Sequence, residues 1–374
     1  MTESRGLAVF ARLGSRPIPR VLRIARVARE LGFEPLFCGA MRDRDLPRDD
    51  DWQGMRIRRL GPHFPLLNGR RPWFYLRSVL AYNRDLFRLL RKLRPVIVHA
   101  SDLETMPAGV AYRLLVGCRL IYNIHDNVAQ RYNIPAWLRT VLNLVEGCCV
   151  LRADVALVPE EFRRDALPRW CRRKITVVRN TPGEIASSPP EPGNGRIRVF
   201  FGGWLDWGRG LQALLEIASA NERVELRIAG EGSEEIVCAL RAHPRVHFLG
   251  FLDHDAVLEE TRGCHVVPAL YDPVRTINRF AASNKLAEAL AIGRPVLLNA
   301  EMEIARQFSG SSCAIVAPYA QIAGTWPSVE RLMDDWPTYI AACAEARREY
   351  ERRYAWEPVR RAIATALEPA LLPA

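Results

Sequence analysis

The 374-residue sequence predicts an α/β protein made of two Rossmann-like domains, each with a parallel sheet. Three observations predict it. Short apolar runs of strand length alternate with stretches of helical period. A segment rich in Pro, Gly and Ser, residues 181–196 (TPGEIASSPPEPGNGR), breaks every period near mid-chain. A second alternating series then follows.

The first series opens with residues 7–11 (LAVFA), a short apolar strand. A loop carrying Gly14 leads into residues 19–31 (PRVLRIARVAREL), whose apolar positions recur at helical spacing. Gly32 stops that helix and residues 34–38 form the next strand, which completes a βαβ unit. Further strands are expected at 96–99, 120–124, 154–158 and 175–178, with helical stretches between them. After the break, strands are expected at 198–201, 224–228, 246–249, 265–268 and 295–299, and helices at 211–219 and 284–292. Charged helical segments fill 329–371. The domains are therefore read as 1–182 and 197–351, joined by a linker at 183–196, with a helix in 352–374 completing the first domain. Ligands of such sheets bind at the carboxyl ends of the strands, so both sites are expected to face an interdomain cleft.

Composition excludes several classes. Hydrophobic residues make up 49% and charged ones 25%, which is a packed globular balance, not a disordered one. No run of eighteen apolar residues occurs, so no spanning helix is expected. The N-terminus lacks the apolar run and cleavage site of a secretory signal. The nine cysteines are irregularly spaced without a C-x-x-C, and are read as reduced core residues of a cytoplasmic protein. His63, His243, His247, His254 and His265 stand isolated, with no metal-ligand spacing. No bound metal and no cofactor are expected. The charge is lopsided: residues 1–95 hold 21 Lys+Arg against 9 Asp+Glu, a net of +12 in a chain of +11, so the remainder is close to neutral at −1. That asymmetry points to an anionic partner for the first domain. No nucleic-acid recognition signature accompanies it, so no nucleic acid is expected. Residues 70–94 (RRPWFYLRSVLAYNRDLFRLLRKLR) mix basic and aromatic residues, as an amphipathic helix on an anionic membrane surface would. A surface helix of the first domain with its apolar face inward reads equally well.

The segment that carries chemistry is Ser283-Asn284-Lys285-Leu286-Ala287-Glu288, continuing to Gly293-Arg294-Pro295. Ser283 is a good N-cap and Gly293 a good terminator. A helix N-terminus favours a phosphate, Lys285 adds a point charge, and Glu288 on the same face can accept hydrogen bonds from ribose hydroxyls. Residues 201–211 (FGGWLDWGRGL) end a strand in two glycines, so Gly203 permits close approach of a ligand, and Arg209 stands before a helix. Gly230, in the turn Ala229-Gly230-Glu231-Gly232, and Phe251 follow later strands. In the first domain His125 and Asp126 end one strand and Asp102 another. Asp126 could act as a base or orient His125, and Asp102 is a second carboxylate candidate.

Together NKLAEALAIGRPVL, VIVHASDLET and LIYNIHD resemble segments of GT-B glycosyltransferases, particularly family 4 and related bacterial polysaccharide-assembly transferases. The resemblance covers most of the chain. It implies a GT-B fold and a hexosyltransferase (EC 2.4) that moves a sugar from a UDP- or GDP-sugar to a lipid-linked or saccharide acceptor. Surface polysaccharide or glycolipid biosynthesis, at the inner face of the cell membrane, is the implied setting. By the same resemblance Lys285 and Arg209 bind the donor diphosphate, and Glu288 holds the ribose. Gly203, Gly230, Phe251, Ser283 and Asn284 complete the donor side, Gly14 lies on the acceptor side, and His125 stands near the donor sugar. One departure stands out. Many family 4 members carry a Glu eight positions before the one matched by Glu288; here that position is Phe280, and Asp272 or the loop 275–278 could cover the space. A GT-B-like nucleotide-sugar epimerase and a non-catalytic basic binding or scaffold protein remain alternative readings.

Overall fold

The computed structural model describes residues 5–63, 72–131 and 133–368. The chain divides into two compact units, Met1–Arg179 with Pro358–Ala374, and Asn180–Glu357.

The first unit runs β1 (Leu7–Ala11), α1 (Pro19–Glu30), β2 (Glu34–Ala40), β3 (Asp49–Trp52), β4 (Met55–Leu60), α2 (Pro72–Leu93) and β5 (Ile97–Ser101). It continues with α3 (Met106–Leu115), β6 (Arg119–Asn123), α4 (Val128–Arg131), α5 (Ala136–Arg152), β7 (Val155–Val158), α6 (Glu161–Asp165) and β8 (Ile175–Val177). The sheet order is β3-β4-β2-β1-β5-β6-β7-β8, parallel except for the β3–β4 hairpin. That hairpin was not expected: DDDW carries no apolar alternation, and its edge strand is tied down by Asp49–Arg58 and Asp50–Arg59 ion pairs instead. The steps β4–α2–β5, β5–α3–β6 and β6–α5–β7 all move in one direction across the sheet. Right-handed crossovers therefore place α2, α3 and α5 on one face. Their inward residues Tyr82, Leu86, Tyr112 and Val150 share one core with Val9, Val98 and Leu120. The step β1–α1–β2 runs the other way, so α1 covers the opposite face.

The second unit runs β9 (Ile197–Gly202), α7 (Leu211–Ala220), β10 (Val224–Ala229), α8 (Glu234–Ala242), β11 (Val246–Gly250), α9 (His254–Gly263) and β12 (Val267–Ala269). Then come α10 (Thr276–Arg279), α11 (Asn284–Ile292), β13 (Val296–Asn299), β14 (Ala314–Ala317), α12 (Trp326–Asp334) and α13 (Trp336–Arg353). Two parallel three-stranded ladders, β11-β10-β9 and β12-β13-β14, meet through the parallel bridge Val199–Val266. α14 (Trp356–Leu367) leaves this unit and packs on the first, where Arg119 Nε donates to the Ala366 carbonyl at 2.7 Å and Arg360 pairs with Glu30 at 3.7 Å.

The Pro- and Gly-rich stretch is not a free linker. It lies along the second unit: Ser188 N–H donates to the Ile292 carbonyl, Arg294 to the Ser188 carbonyl and Arg347 to the Ile185 carbonyl. Prolines keep it extended, while the buried Arg294 and the part-buried Arg347 satisfy two of its carbonyls. Two cysteines also depart from the core reading. All nine are free, but Cys148 and Cys238 are exposed on helix surfaces. The amphipathic segment 70–94 divides by half. Arg70 and Arg71 lie outside the described residues. Tyr82, Leu86 and Leu90 are buried in the core, whereas Trp73 and Leu80 are 66% and 60% exposed.

Candidate active site

In the second unit the site begins at three strand ends. Gly203 N–H donates to the Ala229 carbonyl at 2.9 Å, and Gly230 N–H to the Gly250 carbonyl at 2.8 Å. Gly230 has φ +145°, and a Cβ there would lie 1.7 Å from the Gly203 oxygen, so this corner admits no side chain. Beyond it the chain turns through Asp206, which accepts from Gly208 N–H at 2.8 Å and starts the 3-10 turn Trp207–Arg209. The turn closes on Gly210 at φ +78°, where a Cβ would strike Leu270 at 2.6 Å.

That turn delivers Arg209 to Tyr271. The Arg209 Cζ lies 4.4 Å from the Tyr271 ring centre, and Lys285 Nζ lies 5.8 Å from the same ring and 3.7 Å from Phe201. Two cations are thus held against aromatic faces. Among the described residues neither pairs with a carboxylate. Burial pushes the Lys285 ammonium down to about 7; Arg209 pushes the same way and Glu288 opposes. Tyr271 is fixed in turn: its N–H donates to Asn299 Oδ1 at 2.8 Å, and Asn299 Nδ2 donates to Glu301 at 2.9 Å.

α11 has the bounds read from sequence, and Gly293 ends it in the left-handed conformation. Ser283 occupies the N-cap position without capping. Its hydroxyl is buried and has no hydrogen-bond partner among the described residues. Glu288 is buried one turn on and lies 3.8 Å from His254 Nδ1, so His254 is not isolated as expected. Thirty-odd residues separate the two, and no local period connects them. Phe251 is 62% exposed beyond β11. Phe280 follows α10. Asp272 N–H donates to the Gly208 carbonyl at 2.8 Å, and Arg275 pairs with Asp206 at 3.4 Å, so this loop is stitched to the Arg209 turn.

In the first unit the strand ends of β5 and β6 bring Asp102 and His125 together. His125 N–H donates to Asp102 Oδ1 at 3.0 Å. Asp102 holds φ +65° and ψ 163°, a region that side chains rarely occupy. Burial pushes its carboxyl up, and Arg131, 3.0 Å away, pulls it back. Arg131 also binds Glu104 at 2.6 Å, and Tyr75 hydroxyl donates to Glu104 at 3.0 Å. Asn123 settles the state of His125. Its Oδ1 accepts from Arg20 Nε at 3.0 Å, so its Nδ2 faces His125 Nε2 at 3.0 Å and must donate. Nε2 is therefore an acceptor and the ring proton belongs on Nδ1. Burial and then Arg12 and Arg20 hold this histidine well below its usual range, so the ring is neutral. Asp126 does not orient it; that carboxylate is turned to Arg163 at 3.0 Å. Gly14 lies in the loop after β1, where its carbonyl accepts from Ala40 N–H and Arg12 Nη1 closes over its Cα. Arg131 and Tyr271 carried no motif that would have marked them; Glu104 and Asn123 lie within the segments VIVHASDLET and LIYNIHD but were not singled out there. Among the described residues no cluster of metal-ligating side chains forms, and no helix is long and apolar enough to cross a membrane.

Two family models match. Residues 17–181 match the glycosyl transferase 4-like domain, and residues 196–335 match glycosyl transferases group 1. The chain is a GT-B glycosyltransferase of the family 4-like kind. Solved structures agree on the fold of this glycosyltransferase. Sucrose-phosphate synthase from Thermosynechococcus elongatus aligns with a TM-score of 0.78 at 14% identity, over 96% of this chain and 98% of that one. Anabaena HepE in complex with UDP-glucose aligns with 0.70 at 13% identity, over 97% and 99%. WaaG, a glycosyltransferase involved in lipopolysaccharide biosynthesis, aligns with 0.65 at 14% identity, over 97% and 100%. No curated protein sequence matches the chain.

Proposed function

We propose that this glycosyltransferase takes its sugar from a UDP- or GDP-sugar and delivers it to a lipid-linked or saccharide acceptor in bacterial surface polysaccharide or glycolipid assembly. It would work in the cytoplasm at the inner face of the membrane. The observation that carries the reading is the cationic corner of Lys285 and Arg209 on Tyr271, beside the N-terminus of α11. Two cations and a helix dipole can neutralise a leaving diphosphate without a metal ion. Glu288, with His254 Nδ1 3.8 Å away, would accept hydrogen bonds from the ribose. The base is favoured as uracil, because similar structures carry UDP-glucose and UDP-2-fluoro glucose.

On the first unit, His125 donates from Nδ1 to a sugar oxygen, and Asp102 positions it through the backbone. Asp126, 45% exposed, is the more accessible base toward an acceptor hydroxyl. The exposed first half of α2 supports a lipid-borne acceptor.

Thermal shift with UDP, GDP and ADP, on wild type and Lys285→Ala, tests the donor reading. At ~100 Kd a ligand adds roughly 2.7 kcal/mol, a shift of several degrees. A UDP shift that the variant loses supports it. No shift with any diphosphate at saturating concentration overturns it.

A further inference from the structure

Among the described residues, nineteen large apolar side chains are exposed, and fourteen of them belong to the first unit. Twelve of those fourteen lie on α2, α5 and the end of α3, which share one face of the sheet. α5 is the most regular. Trp137, Val141, Leu144, Cys148 and Leu151 follow a 4-3-4-3 spacing, which makes one continuous stripe along a helix. All five are exposed, Trp137 by 68%. The inner side of the same helix is already used, by Glu146, Gly147 and Val150. The outer stripe is therefore surplus to the core. On α2, Trp73, Leu76 and Leu80 add a second exposed stripe at helical spacing.

The charge around these stripes has one sign. α2, α3 and α5 carry eight Arg and Lys against two Asp and Glu. Glu146 is turned inward, accepting from Tyr122 hydroxyl at 2.8 Å and Val128 N–H at 3.2 Å. Asp85 is paired with Arg84 at 3.0 Å. The acids that border these helices are held by arginines: Asp154 by Arg113 at 2.6 Å, Glu104 by Arg131 at 2.6 Å, and Asp165, in a shallow pocket with Thr140 and Leu144, by Arg164 and Arg172. A heptad-spaced stripe would also suit a partner helix. Pairing α5 antiparallel with a second copy, however, brings Arg139 of each chain toward Arg152 of the other, with no exposed acid on either helix to offset them. An anionic lipid surface meets both the apolar stripe and its basic flanks. Trp137 and Trp73, each near the start of its helix, suit the headgroup level.

We propose that the α5 stripe, with the first half of α2, seats the first unit on an anionic membrane, α5 lying in the plane of the headgroups. The proposal rests on the reading of a membrane-borne acceptor and names the surface that would meet it.

Flotation of the full chain with phosphatidylcholine vesicles and with mixed phosphatidylcholine–phosphatidylglycerol vesicles tests it. Four proteins are compared: wild type, Val141→Glu/Leu144→Glu, Trp73→Glu/Leu80→Glu, and Ile340→Glu on the second unit as control. Wild type and control should prefer the anionic vesicles. The α5 variant should lose about tenfold or more in partition, and the α2 variant should also lose partition, while both keep the wild-type melting temperature and UDP shift. An α5 variant that binds like wild type overturns the proposal, as does wild type that partitions equally to both vesicles or to neither. Light scattering that finds a wild-type dimer, which the α5 variant turns into a monomer without change in flotation, assigns the stripe to a second copy and also overturns it. The UDP shift is read separately. Its presence with failed flotation leaves the donor reading standing, and its absence with α5-dependent flotation leaves the membrane seat standing alone.

Discussion

Lys285 is one of only three lysines, with Lys92 and Lys174. With its ammonium pushed down to about 7, the folded chain lacks, between pH 7 and the ordinary lysine range, a proton that the unfolded chain holds. Its contribution to stability therefore rises with pH across that window and is least favourable at and below pH 7. A bound diphosphate reverses the preference and draws the proton on. Carbon-13 reductive methylation should give three lysine signals, one titrating near 7 and moving up when UDP is added. UDP affinity should weaken by up to about tenfold per pH unit above 7. A Lys285 signal that titrates in the ordinary range in the absence of UDP would contradict this. Such a property was only half legible in the sequence. The motif marked Lys285, but the burial and the Arg209 charge that depress it come from tertiary packing and from a turn far along the chain. The same holds for His125, whose tautomer depends on Arg20 through Asn123.

At the scale of elements, the proposed donor site makes the turns after β9 and β10 the place where backbone space for a nucleotide is decided. Gly230→Ala forces a Cβ into the Gly203 carbonyl. It should cost a few kcal/mol and remove the UDP shift. Gly250→Ala has open space around its Cβ at φ +70° and should cost only about 1 kcal/mol. Melting temperatures check the contrast, and equal values for the two variants would refute it. Elements whose apolar period is plain were read correctly: β1 and α11 match residue for residue. β3 was missed because DDDW has no apolar period; β4 carries a short one, Met55 and Ile57 alternating with arginines, that was passed over. Ser283 looked like a cap by type. Only the structure shows that its hydroxyl is buried and makes no capping bond.

At the scale of the whole molecule, the last helix belongs to the first unit although the second precedes it. Val359, Ile363, Ala366 and Leu367 of α14 are buried. Truncation after Glu357 should lower the stability of the first unit by several kcal/mol while the second keeps its UDP shift. Calorimetry with and without UDP would show it, and an unchanged first-unit transition would refute it. The Gly203–Gly230 corner has a different kind of consequence. No residue larger than glycine fits at Gly230, so that position offers no freedom to evolution or to a designer. On the proposed donor reading, diversity of donor choice is expected where side chains can change size without touching the backbone, at Phe251 beyond β11 and at Phe280 after α10. A library aimed at a new donor should vary these two and leave the glycines alone.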